Sequence, residues 1–182
     1  MNYSFENFRK NAIIRFLDLD KYNYIKEKMY NCDLSKDIEF QTTFNAFYRV
    51  RRNKKWRDVF YKYFERVKNN KNIKFEEILR YIYKKTGCIE ASFSSKMLAT
   101  INPNMPIWDQ YVLKNLNIEV LGKNKQEKLD NTINTYYKII EIEKQKMEQQ
   151  DIIQAIKEFK QEFKEYELSD IKILDYILWN NR

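Results

Sequence analysis

The sequence predicts an all-α fold, and three observations carry that prediction. Apolar residues recur at three- and four-residue spacing along nearly the whole chain. No stretch shows the apolar–polar alternation of a half-buried strand. Glycine and proline number only two each in 182 residues, and they fall between the periodic segments rather than inside them. About nine to ten helices are expected, in one domain spanning residues 1–182. Its basic part, residues 1–122, precedes a C-terminal helical part at 123–182.

Taken in order, Phe5, Phe8, Ile13, Phe16 and Leu17 predict a helix over residues 3–18, and a second follows at about 20–31. A third is expected over 37–53, with Phe40, Phe44, Phe47 and Tyr48 on one face. Residues 55–69 group Trp56, Val59, Phe60, Tyr63 and Val67. The polar run 69–72 breaks the pattern before the stripe Phe75, Ile78, Leu79 and Ile82, which ends at Gly87, a residue suited to a left-handed cap. Helices at about 91–101 and 109–117 come next. Past the break at Gly122, residues 125–147 and 150–165 read as long charged helices. Their buried sides are Ile133, Tyr136, Tyr137 and Ile140, then Ile152, Ile156, Phe159 and Phe163. Ser169 is a fitting N-cap for the last helix, which carries Ile171, Leu174, Ile177 and Leu178. In that helix Trp179 is expected to be buried, and Asp175 to tie the helix to a basic neighbour.

Composition removes several classes of chemistry. With 43% hydrophobic and 16% aromatic residues, the chain has enough apolar surface to order itself. It has no histidine, which excludes Ser-His-Asp and Cys-His nucleophile systems, His-ligated metals and histidine acid–base work. No apolar run reaches the roughly 20 residues that span a bilayer, so no membrane contact is expected. Two cysteines are too few for a disulfide framework; Cys32 and Cys88 are expected as small core residues in a reducing cytoplasm. Met29 and Tyr30 are likewise expected in the core. Nothing implies a cofactor or a metal.

Charge is unevenly placed. Residues 1–128 hold 26 Lys and Arg against 15 acids, and residues 129–182 hold 8 against 11. Richness in Asn, Ile and Lys marks AT-rich coding and inflates lysine, but it does not explain a cluster of arginines. Arg49, Arg51, Arg52, Lys54, Lys55 and Arg57 put six cations and no acid within nine residues, around Trp56. Such a field, with an aromatic inside it, suits phosphate binding with stacking. The structural alternative is a solvated helix end whose cations offset the dipole.

The remaining signal is the stretch TGCIEASFSSKMLATINPNMPIWDQYVLKNL, residues 86–116. A glycine-ended helix, a turn, a helix rich in serine and alanine, a loop with two prolines and an acid at a helix start follow one another here. This order resembles the helix-hairpin-helix DNA glycosylase superfamily, including its 8-oxoguanine glycosylase group. Gly87 falls at the first hairpin glycine, Ile89 at the second, Ala91 at the catalytic lysine of the bifunctional members, and Asp109 at the catalytic aspartate. The resemblance covers about 35 residues. It implies a glycosylase-like scaffold that binds duplex DNA and lacks Schiff-base chemistry, because Ala91 carries no amine. It further implies that Asp109 stabilises the oxocarbenium character that develops as an N-glycosidic bond breaks. Trp108 would then wall the base pocket, and Lys96 would meet a phosphate.

The bland readings stand beside these. Asp109 caps a helix, Trp108 packs in the core, and Ser92, Ser94 and Ser95 permit close helix approach. Three functional classes follow: a base-excising enzyme, a non-catalytic nucleic-acid binder on the same scaffold, and a phage- or defence-associated module whose basic face meets an acidic protein.

Overall fold

The structure, a computed structural model, describes residues 16–115, 118–120 and 122–180. Most of the helix expected over 3–18 lies outside these residues, as does the side chain of Trp179, so the expected helix count is not covered in full. The described residues are helical, with no strand among them. They form α1 (Phe16–Met29), α2 (Ile38–Tyr48), α3 (Lys54–Val67), α4 (Phe75–Thr86), α5 (Ala91–Ile101), α6 (Gln110–Asn115), α7 (Lys125–Lys146), α8 (Gln150–Glu162) and α9 (Asp170–Asn180). None of the described helices is long and apolar enough to cross a membrane. Two compact units result, one of Phe16–Asn102 and one from Pro103 onward. The seam falls inside the punctuated segment 86–116, while the change of charge lies further on.

In the first unit α1 is continuous through residues 19 and 20, where the sequence pattern suggested a break. Leu19, Tyr22, Ile25 and Met29 recur at helical spacing and are buried, and α1 packs on α2. Asp37 caps α2 by accepting the Phe40 amide at 2.8 Å. The helix stops at Tyr48, earlier than the expected residue 53. Arg49 turns into the left-handed region (φ 55°), which lets Val50 N–H reach Asn45 O at 2.9 Å and sends the Val50 side chain into the core. Asn53 then opens α3, its side chain accepting the Trp56 amide at 2.9 Å. The core is aromatic: Phe44 lies 5.6–5.9 Å from Phe60, Tyr61 and Phe64, in tilted and edge-to-face pairs. Such pairs add about 0.5–1.5 kcal/mol each beyond the area they bury.

Glu65 of α3 and Lys68, the residue that caps its end, fasten the loop between α1 and α2. Glu65 accepts the Leu34 amide at 2.7 Å, and Lys68 donates to Cys32 O at 2.7 Å while pairing with Glu65 at 2.9 Å. Gly87 ends α4 in the left-handed conformation (φ 72°), with its amide on Tyr83 O. Cys32 is only partly buried and Cys88 is exposed, so the expectation that both are core residues fails. Tyr30 is also exposed, because it follows Met29 beyond the last buried turn of α1.

In the second unit Asn124 caps α7 by accepting the Glu127 amide, and the Glu127 side chain accepts the Lys123 amide ahead of the cap. The buried face of α7 runs Leu129, Ile133, Tyr136, Ile139 and Glu143. Tyr137 and Ile140, expected on that face, sit one position off it; Tyr137 is exposed. The α8 face, Ile152, Ile156 and Phe159, is buried as its spacing predicts. Ser169 caps α9 through the Lys172 amide at 3.1 Å. The helices α8 and α9 pack together, with Phe159 stacked on Tyr176, and α6 also packs on α9.

Candidate functional site

Two sequence features that looked separate meet within the first unit. Residues 49–57 form the turn between α2 and α3 and the first turn of α3, and residues 87–96 form the α4–α5 turn and the first half of α5. Arg52 Nη2 pairs with the Glu90 carboxylate, donating to Oε2 at 2.9 Å and lying 2.8 Å from Oε1. The guanidinium also lies 5.5 Å from the Phe93 ring centroid. Lys96 approaches the same ring at 5.3 Å and donates to Tyr48 O at 3.2 Å. Trp56 packs against Phe93 at 5.2 Å and stacks on Phe60 at 5.1 Å. Tyr48 and Thr100 complete the join through their hydroxyls, 3.2 Å apart.

This geometry sorts the cationic residues. Arg52 and Lys96 are engaged structurally, one with a buried acid and the other with a helix-end carbonyl. Trp56 is buried and serves packing, so it presents no face on which a base would stack. Arg51, Lys54 and Lys55 are exposed, and no described acid pairs with them. Arg49 is exposed and Arg57 half-buried. Lys54 and Lys55 occupy the first turn of α3, where the helix dipole is positive and no acid offsets it. Cations placed there lose the dipole's help and add to a positive field facing solvent. Phe93 and Glu90, which organise the join, were not singled out in the sequence, since a lone aromatic between serines carries no periodic signal.

Gly87 closes the α4–α5 turn as expected. Ala91 is buried at the start of α5, and Ser94 and Ser95 are fully buried, in keeping with their packing role.

The second unit contains Trp108 and Asp109. Hydrogen bonds with Ser169, Tyr136 and Asp175 help hold the loop that carries them. Ser169 Oγ donates to Pro103 O, Tyr136 OH donates to Pro106 O at 2.8 Å, and Ile107 N–H donates to Asp175 Oδ1 at 3.2 Å. Trp108 is buried, in agreement with the packing reading. Asp109 is half-buried and immediately precedes α6, its carbonyl accepting the Leu113 amide at 2.9 Å.

The same unit buries two further carboxyls, of which Asp175 touches the loop. Asp175 is buried, so its tie runs to a backbone amide of the loop as well as feeling the Lys172 charge. Burial pushes its carboxyl up to about 7, with Lys172 and the Ile107 amide opposing and the Asp109 charge adding to the rise. Glu143 has no exposed surface, and neither carboxylate oxygen has a hydrogen-bond partner. Burial, with the Asp175 charge adding to it, raises this carboxyl well above the ordinary range. Burial also keeps the Tyr136 phenol protonated, which suits its role as donor to Pro106. The described residues include no group of His, Cys, Asp and Glu that would hold a metal ion.

Compared with family models, curated proteins and solved structures, the chain finds no match.

Proposed function

We propose that the protein binds DNA through the basic surface of its first unit, on a scaffold resembling that of helix-hairpin-helix DNA glycosylases. The observation that supports this most directly is the trio Arg51, Lys54 and Lys55. These cations are exposed, unpaired with any described acid, and seated at the positive end of α3 beside the α4–α5 turn. Residues 16–102 hold nineteen Lys and Arg against eleven acids, whereas residues 103–182 hold twelve against fourteen. A phosphate backbone is the partner that such an imbalance attracts without requiring a shaped pocket.

Base excision is the catalytic extension of this reading, with Asp109 as the carboxylate that stabilises positive charge on the sugar. A half-buried acid at a helix start, on a loop pinned at three points, has the fixed position that such a role needs. Ala91 leaves no amine for a Schiff base, so the reaction would be simple hydrolysis to an abasic site.

Two measurements test the reading in order. Duplex affinity titrated against salt is expected to fall steeply. Replacing Arg51, Lys54 and Lys55 by alanine is expected to lower the slope by roughly one for each phosphate left without its cation. Binding that is absent or indifferent to salt rejects the DNA assignment, and co-purification with one acidic protein would replace it. Base release from a panel of lesion duplexes, abolished by Asp109→Asn with folding retained, supports the catalytic step. Salt-dependent binding without any abasic product reduces the protein to a binder.

A further inference from the structure

We infer that Glu143 is a proton-holding latch for the loop at residues 103–109, which Asp175 grips at the Ile107 amide: the loop stays closed and holds Asp109 while Glu143 is neutral, and opens when Glu143 ionises. The inference uses only the second unit and does not depend on DNA binding.

The geometry leaves few alternatives. Glu143 projects from α7 into a fully buried position, and neither of its oxygens meets a donor. Asp175, from α9, uses one oxygen to accept the Ile107 amide, and its other oxygen is buried without a partner. A carboxylate in such surroundings costs several kcal/mol unless it is paired or takes up a proton. Among the described residues, the charged and titratable groups that act on the two are Lys146 and Tyr136 on α7, Lys172 on α9, and Asp109 just before α6. The buried side chains of α8 are apolar. Lys146 and Lys172 favour ionisation, but each lies on the same helix as the acid it influences. Asp109 opposes ionisation of Asp175. The upward shifts of both carboxyls agree with the neutral state.

A neutral Asp175 still accepts from Ile107 through its carbonyl oxygen, so protonation does not cost the loop its anchor. As placed, neither Glu143 oxygen meets a donor, so the ionised form is stabilised by reaching water. It can do so only if α7 moves away from what covers it, and α7 also carries the Tyr136 hydroxyl that holds Pro106. Removing the proton from Glu143 therefore loosens the same loop that Asp175 grips.

The test is made on the full chain by following the Glu143 and Asp175 side-chain carboxyl carbons with 13C NMR from pH 4 to pH 9. Exchange of the Ile107 amide is measured in parallel, against the Ile173 amide at the start of α9 as internal reference. The latch requires Glu143 to titrate well above the ordinary carboxylate range. It also requires protection of Ile107 relative to Ile173 to fall about tenfold for each pH unit beyond that midpoint, the dependence expected when one proton controls opening. Glu143→Gln, which cannot ionise, should hold the ratio constant over the whole range. A Glu143 midpoint near the ordinary value, or an Ile107-to-Ile173 ratio that does not change with pH, overturns the inference. If Glu143→Gln does not fold, the wild-type titration and exchange ratio decide alone.

Discussion

Replacing Arg52 by alanine should cost the first unit more stability than replacing any of its basic neighbours. The Arg52 side chain is 45% exposed, while that of Glu90 is 7% exposed. An ion pair wholly in water contributes about 0.2–1 kcal/mol, whereas stranding a fully buried partner costs about 3–5 kcal/mol. Here water still reaches the guanidinium but hardly reaches the acid, which places the loss between the two, at about 2 kcal/mol. The approach to Phe93 adds a few tenths. Arg51→Ala, by contrast, removes an unpaired exposed side chain and should stay within about 0.5 kcal/mol of wild type. Urea unfolding followed by circular dichroism measures all of these. A double-mutant cycle with Glu90→Gln isolates the pair, because once the acid is neutral the loss of Arg52 should cost at least about 1 kcal/mol less. If the two substitutions add within about 0.5 kcal/mol, Glu90 does not rely on Arg52 and the assignment of Arg52 to structure is wrong.

Other outcomes follow from the same geometry. Tyr136→Phe leaves Pro106 O without its donor and should destabilise the second unit by about 1–2 kcal/mol in the same assay. Gly87→Ala meets no steric obstacle but forces a side chain onto a φ of 72°, for a loss of about 1 kcal/mol in urea unfolding. Phe44→Ala opens the aromatic core and should cost about 3–5 kcal/mol, enough to abolish cooperative unfolding in a marginal unit. Asp175, raised from 3.8 to about 7 in the folded chain, keeps a proton there that the unfolded chain releases. Its stabilising contribution is therefore full below about pH 4 and is lost as the pH rises toward 7. Thermal melts of Asp175→Asn should show a flatter pH dependence than wild type across that window.

Much of the fold could be read from periodicity, and the failures have physical causes. The stripes of α3, α4 and α8, the cap at Gly87 and the hydroxyl cap at Ser169 follow from spacing and residue type alone. The end of α2 did not, because an arginine takes the left-handed position ordinarily filled by glycine or asparagine. Asn53, of a residue type that favours N-caps, opens the next helix, but the helix expected over 37–53 ran through it. On α7 the spacing 129, 133, 136, 139 leads directly to 143. The residue there is glutamate, so its burial contradicts residue type. The basic segment was legible, yet which of its charges are engaged depends on Glu90 and Phe93, some forty residues away. Asp109 stands out by its place after a double-proline loop, but the Asp175 carboxyl that holds the loop comes from a distant helix.

The left-handed arginine at the end of α2 has one more implication. With two glycines in the whole chain, Arg49 occupies a conformation that a side chain adopts at a cost of about 1 kcal/mol or more. Glycine at that position would relieve the cost and delete a solvent-facing charge in the same step. Arg49→Gly therefore sets robustness against attraction to polyanions: a gain in melting temperature accompanied by weaker capture of nucleic acid would mean that the sequence tolerates local discomfort for the sake of its charge.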